Sequence, residues 1–264
     1  MKHQFFGDIN DYRKYGLLRI LCGGKKDSTA VCWMLTADIG GPNGKKIGYL
    51  HEPDDWEYFD HSLFYALHQA VIIYSDRNVA RAEHPGILDP AIFDSYSEQL
   101  KDKRDEREKY FQEFLSRAEG RDLVFFDPDN GLEVKGLPAG RKGSSKFLYF
   151  DELSRAFNRQ HSILVFQFFM KIAAEKVINE RTKQVFSRLD VDEIASFKTN
   201  NVIFFLIPQT KDLKQLKERS ERVGKVWSGQ INPCWHHRTG HVSDAEGTAE
   251  LTVGDENEKD STIP

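Results

Sequence analysis

Runs such as residues 30–36 (AVCWMLT), 123–126 (LVFF) and 162–169 (SILVFQFF) are apolar almost without interruption over the length of a strand. A strand with one wet face alternates apolar and polar residues, so a continuous run belongs to a strand covered on both faces. That is the situation of parallel strands layered between helices, and it restricts the fold more than composition does.

The rest of the chain fits between these runs. Residues 11–22 read as a helix with Tyr15, Leu18 and Cys22 at helical spacing, and residues 70–74 (AVIIY) form a second short apolar run. Residues 96–119 carry Phe111, Phe114, Leu115 and Ala118 on one helical face, with charges on the others. Helices follow at 151–159 and 172–189 (Ile178, Val185, Phe186 and Leu189 inward), and a closing helix carries Leu213, Leu216, Val223 and Trp227. Residues 194–198 and 202–207 flank Thr199-Asn200-Asn201, which reads as a hairpin turn. The expected fold is a Rossmann-like three-layer α/β sandwich, its sheet mostly parallel with a C-terminal antiparallel hairpin. Residues 1–238 form one α/β domain in this reading. Residues 239–264, rich in Asp, Glu, Gly, Ser and Thr and lacking an aromatic, read as an acidic disordered tail.

With 37 Lys and Arg against 41 Asp and Glu, the net charge is −4, so any nucleic-acid surface must be a local patch. No apolar run approaches the roughly 20 residues of a membrane helix. The start turns acidic with no signal-type apolar stretch, and Cys22, Cys32 and Cys234 make no CxxC pair; a cytoplasmic location is expected.

Chemistry is expected at Asp127-Pro128-Asp129-Asn130-Gly131, directly after the LVFF run. In open parallel sheets, ligands bind outside the carboxyl ends of the strands. Pro128 stiffens the loop and Gly131 permits a tight turn. Asp127, Asp129 and Asn130 are the candidate catalytic residues. Paired carboxylates bind a divalent metal, or one of them acquires a raised pKa and serves as acid or base, and Asn130 both donates and accepts. The same five residues also make an ordinary polar turn.

Three further segments compete for the same mouth. In residues 7–15 (GDINDYRKY), a helix starting near Asp8 sets Asp8, Asp11, Tyr12 and Tyr15 on one face; alternatively, Asp8 or Asn10 only caps that helix. The loop 36–44 (TADIGGPNG) has glycines that let backbone N–H groups approach a ligand, or it is a plain loop. Residues 140–146 (GRKGSSK) place Arg141, Lys142, Ser144, Ser145 and Lys146 where they cradle phosphate, or form a solvated basic loop. Cys234, His236, His237 and His241 match no standard zinc spacing, and Glu133-x-Lys135 lies too close to Pro128-Asp129 for a nuclease PD…ExK motif.

A helix (GDINDYRKYGLLR) before the first strand, a glycine-bearing loop after it (TADIGGPNG) and an Asp-Pro motif after a later strand (LVFFDPDNGLE) together resemble the class I S-adenosylmethionine-dependent methyltransferases. Nearest are the bacterial ribosomal-RNA adenine-N6 methyltransferases with a short Asp-Pro-Pro-Tyr motif. The resemblance spans residues 7–208. It implies that Asp127 and Pro128 hold the first two motif positions, and that the loop containing Asp38, Gly40 and Gly41 takes S-adenosylmethionine, with Asp8, Asp11 and Lys14 close by. Where the motif continues with Pro and an aromatic, this chain has Asp129 and Asn130.

The leading expectation is therefore methyl transfer to a base of DNA or RNA, with Arg141, Lys142 and Lys146 on phosphate. The added carboxylate at Asp129 favours a second reading, a glycosylase or metal-dependent nuclease in which Asp127 and Asp129 activate water, the nuclease with a divalent metal. A third is a non-catalytic Rossmann-like binding module.

Overall fold

In the computed structural model, residues 1–38, 44, 46–169 and 172–238 are described. The LVFF run is β3 (Leu123–Phe126), flanked by β1 (Thr29–Cys32) and β6 (Ser162–Phe168). The other elements are α1 (Ile9–Cys22), α2 (Pro53–Trp56), α3 (His61–His68), β2 (Phe93–Tyr96), α4 (Arg104–Arg117), β4 (Gly131–Leu132), β5 (Phe147–Leu148), α5 (Phe150–Asn158), α6 (Ala174–Arg188), β7 (Glu193–Lys198), β8 (Val202–Ile207), α7 (Leu213–Val226) and β9 (Asn232–His237).

Seven strands form one sheet in the order β2-β1-β3-β6-β8-β7-β9, while β4 and β5 pair separately. Neighbours from β2 to β6 are parallel. β8 runs antiparallel to both β6 and β7, so β7 points the same way as β6, and β9 closes the edge antiparallel to β7. Five strands thus point one way. This is the Rossmann-like α/β arrangement with the expected hairpin.

Strand side chains alternate between two covered faces, which explains the uninterrupted apolar runs. Val31, Phe125, Leu164 and Phe204 pack with α1, α3 and α7. Ala30, Val124, Phe126 and Val165 pack with α4, α5 and Val185 of α6. α1 is buried nearly all round, unlike an amphipathic surface helix. Its Gly16 lies under the indole of Trp227, where a Cβ would overlap the ring.

Three local readings are corrected, and one strand is added. The 70–74 run is helical: residues Gln69–Ile73 continue α3 as a π turn. The adjoining strand is instead β2, where a helix was expected to begin at Tyr96; α4 starts only at Arg104. β2 is an edge strand with Asp94 and Ser95 half-buried, so its pattern is not strand-like by apolarity. β1 stops at Cys32, because Met34 takes φ 46° and breaks the extension. Finally, β9 is polar and carries Pro233, the signature of an edge strand. No helix among the described residues is long and apolar enough to cross a membrane.

Candidate functional site

The chain leaves β1 toward β2 on one side, and β3 lies on the other. The strand order therefore reverses between the carboxyl ends of β1 and β3, the position where open α/β sheets leave a crevice. Asp127 emerges there: its N–H donates to the Cys32 carbonyl at 3.0 Å, and the residue is only 1% exposed.

α1 delivers the partners of Asp127. Lys14 Nζ donates to Asp127 Oδ2 at 2.7 Å and to Asp11 Oδ1 at 2.7 Å. Asp11 Oδ2 accepts from Tyr15 OH and from Gly7 N–H, each at 3.1 Å. Asp8 caps the helix, its Oδ1 accepting from the N–H groups of Asn10 (2.8 Å) and Asp11 (3.1 Å). The structure thus brings Asp8, Asp11, Lys14 and Asp127 together. Tyr12, expected on the same face, turns the other way and donates its hydroxyl to the Trp56 carbonyl at 2.8 Å.

Burial dominates the electrostatics. It pushes the Asp127 carboxyl above its usual range although Lys14 and the Met1 ammonium pull it down. Burial and then Asp11 push Asp8 up to about 7. Lys14 is fully buried, which alone would lower its pKa, but Asp11 and Asp127 outweigh that and hold it protonated. The rings of Phe166, Tyr15 and Trp33 surround its ammonium at 5.3–5.9 Å.

Asp129 sits in a different environment. The Met1 ammonium is 2.9 Å from its Oδ1, and Lys2 Nζ and Thr36 Oγ1 (2.7 Å) both donate to Oδ2. Burial alone would raise this carboxyl, but the two cations hold it well below the usual range. Met1 also donates to the carbonyls of Asp127 (2.9 Å) and Met34 (3.2 Å), so residues 1 and 2 lie across the mouth.

Asn130 is tied by its main chain: its N–H donates to Lys146 O at 2.9 Å, and its carbonyl accepts from Gln167 Nε2 at 2.8 Å. Its side chain is half-buried. Gly131 next to it has φ 117°, and a Cβ there would run into the Gln167 amide. Asp38 is exposed and accepts from Gln4 N–H at 3.3 Å, whereas Gly40 and Gly41 lie outside the described residues.

The basic loop is occupied from inside. Asp102 accepts from the N–H groups of Gly143 and Ser145, each at 2.8 Å, and Ser144 Oγ donates to its carbonyl at 3.3 Å. Arg107, paired with Glu152, donates to the carbonyls of Ser144 (3.0 Å) and Phe147 (2.6 Å). Ser144 is buried, while Arg141, Lys142 and Lys146 are exposed. At the far edge of the sheet, His236 Nε2 is bonded to Ser196 Oγ at 2.8 Å and Cys234 is exposed; His241 lies outside the described residues. Among the described residues no three His, Cys, Asp or Glu gather to hold a metal.

Glu98, exposed just past the carboxyl end of β2, escaped the sequence reading, as did Met1 and Lys2 as partners of the site. Recognising β2 as a strand is the signal that would have singled out Glu98.

No protein-family model matches the chain, and no curated protein matches it. Among solved structures, a Legionella pneumophila protein of the DUF519 family model is similar over 88% of this chain and 97% of that chain, with 8% identity and a TM-score of 0.46. A likeness at that level bears on neither substrate nor reaction.

Proposed function

We propose that the chain transfers a methyl group from S-adenosylmethionine to a base of DNA or RNA. The observation that carries this reading is the position of Asp127-Pro128: it leaves β3 at the switch point, beside the loop that follows β1.

The donor chemistry at this end of the sheet fits such a cofactor. Glu98 is an exposed carboxylate suited to a ribose diol, as acidic groups past a neighbouring strand are in dinucleotide folds. Asp38 is an exposed carboxylate on the loop after β1, able to meet the ammonium of the methionine end. When bound, the cofactor supplies an electrophilic methyl group. The residues of this chain orient its acceptor: Asn130 offers a donor and an acceptor to a base edge, and Asp127, buried and fixed by Lys14, sets the position of the Asp127–Asn130 loop at the mouth. Arg141, Lys142 and Lys146 face solvent, where phosphate contacts form. Asp129, neutralised by two cations and held at low pKa, is a weak base, which favours methyl transfer over water activation.

The test is calorimetric titration with S-adenosylmethionine, followed by transfer of labelled methyl groups to total RNA and DNA. Micromolar binding weakened in Asp38→Ala and Glu98→Gln is expected. Absence of binding at millimolar cofactor sinks the reading.

A further inference from the structure

A second concavity opens at the same end of the sheet, beside Ile9 and Arg13 of α1. The turn after β7 reaches it, and β7 points the same way as β3. This open cleft of about 570 Å³ is bordered by Arg13, Lys46, Trp56, Asn200, Asn201 and Gln230. Its size is that of a pocket for a small organic ligand rather than for a lone ion.

Arg13 is the unusual group. It is only 5% exposed, yet its guanidinium meets no carboxylate at ion-pair distance among the described residues. Its Nε and Nη2 donate to the neutral Gln230 Oε1 at 3.2 and 2.5 Å, and its far side faces Trp56, 5.8 Å from the ring centroid. Burial lowers its pKa, with Asp8 and Tyr49 only partly offsetting that. A buried cation with no carboxylate at ion-pair distance among the described residues is costly, and the missing partner is supplied most simply from the cleft it lines. Lys46 adds an exposed ammonium with no ion pair among the described residues. Glu52 is the carboxylate on the rim; it accepts from Trp56 Nε1 at 3.4 Å. Trp56 is itself braced by Tyr12, Tyr49 and Phe59, so the wall behind the guanidinium is rigid.

The geometry points to a nucleotide-binding subsite, in which Arg13 and Lys46 take a phosphate and the amides of Asn200 and Asn201 meet the edge of the base. A guanidinium fork with a second cation matches a doubly charged phosphate better than a single carboxylate. Side-chain amides supply both a donor and an acceptor, the pair that a base edge requires. The subsite stands on the cleft alone and holds whether or not the chain transfers methyl groups.

The test is calorimetric titration of the full chain with inorganic phosphate, adenosine 5′-monophosphate, adenosine and a short single-stranded RNA oligonucleotide. The monophosphate or the oligonucleotide is expected to bind, and adenosine to bind about tenfold more weakly than its monophosphate. Preference for the oligonucleotide identifies a strand as the source of the phosphate, and preference for the monophosphate identifies a free nucleotide. Arg13→Gln and Lys46→Gln are each expected to weaken binding about tenfold, while Lys183→Gln on the opposite layer leaves it unchanged. Lys46 is exposed and makes no ion pair among the described residues, so its substitution leaves the fold intact even if Arg13→Gln does not. Equal affinity for adenosine and its monophosphate, binding indifferent to Lys46→Gln, or no binding of either phosphorylated ligand overturns the subsite.

Discussion

The Lys14 ammonium lies 2.7 Å from a carboxylate oxygen of Asp127, although 113 residues separate the two in the chain. Both are buried, and Asp11 shares the same cation. A buried pair of this kind contributes little against an apolar replacement of both partners, but breaking it from one side strands a charge. Lys14→Met is therefore expected to destabilise the fold by about 3–5 kcal/mol in urea denaturation. Adding Asp127→Asn to it should recover part of that loss. A Lys14→Met protein as stable as the wild type would show that the pair does not anchor α1 to β3.

The Asp8 carboxyl gives a pH signature. Folded, it keeps its proton up to about pH 7; unfolded, it loses it near 3.8. Between these values the native state binds more protons than the unfolded one, so this group's contribution is full below pH 3.8 and is lost as pH rises to 7. Asp8→Asn retains a good cap and removes the titration. The variant should match the wild type at acidic pH, gain on it through the window, and hold a constant advantage above pH 7. A series of urea midpoints measures this, and a stability gap independent of pH would falsify it.

Gly16 tests the seam between α1 and α7. A methyl group at this position meets the six-membered ring of Trp227. Overpacking a dense interior costs about 1–3 kcal/mol, which should outweigh the gain in helix propensity from Gly16→Ala. Thermal unfolding decides it, with Gly48→Ala as a comparison at a position with open space around it and no positive φ.

Asp102 holds the 140–146 loop by acting as its internal anion. Asp102→Ala removes the acceptor of two backbone N–H groups. Hydrogen exchange at Gly143 and Ser145 should then accelerate by about tenfold or more, as expected for loss of a charge-assisted bond. Unchanged protection would mean that Arg107 and its carbonyl contacts suffice.

Much of the fold was legible because burial on both faces leaves a plain mark. The LVFF run is β3 to the residue, and the turn at Thr199-Asn200-Asn201 joins β7 and β8 as expected. The two sheet edges were not legible. β2 and β9 are half-wet, carry Asp94, Ser95 and Pro233, and lack the apolar continuity that marks the centre. At the site, the sequence placed Asp127 after its strand and Asp11 and Lys14 on a helix. That the two carboxylates share one cation depends on how α1 crosses the sheet, which no local spacing encodes. The pairing of Asp129 with Met1 and Lys2, and the filling of the basic loop by Asp102, are likewise long-range facts.

α1 carries Lys14 toward the sheet mouth and sets Tyr12 and Gly16 against Trp227, which precedes the last strand. A stiff rod gripped at both sides transmits displacement instead of absorbing it. Trp227 thereby becomes a remote lever: trimming this indole, far along the chain from any candidate catalytic group, would let the rod roll and slacken the grip on Asp127.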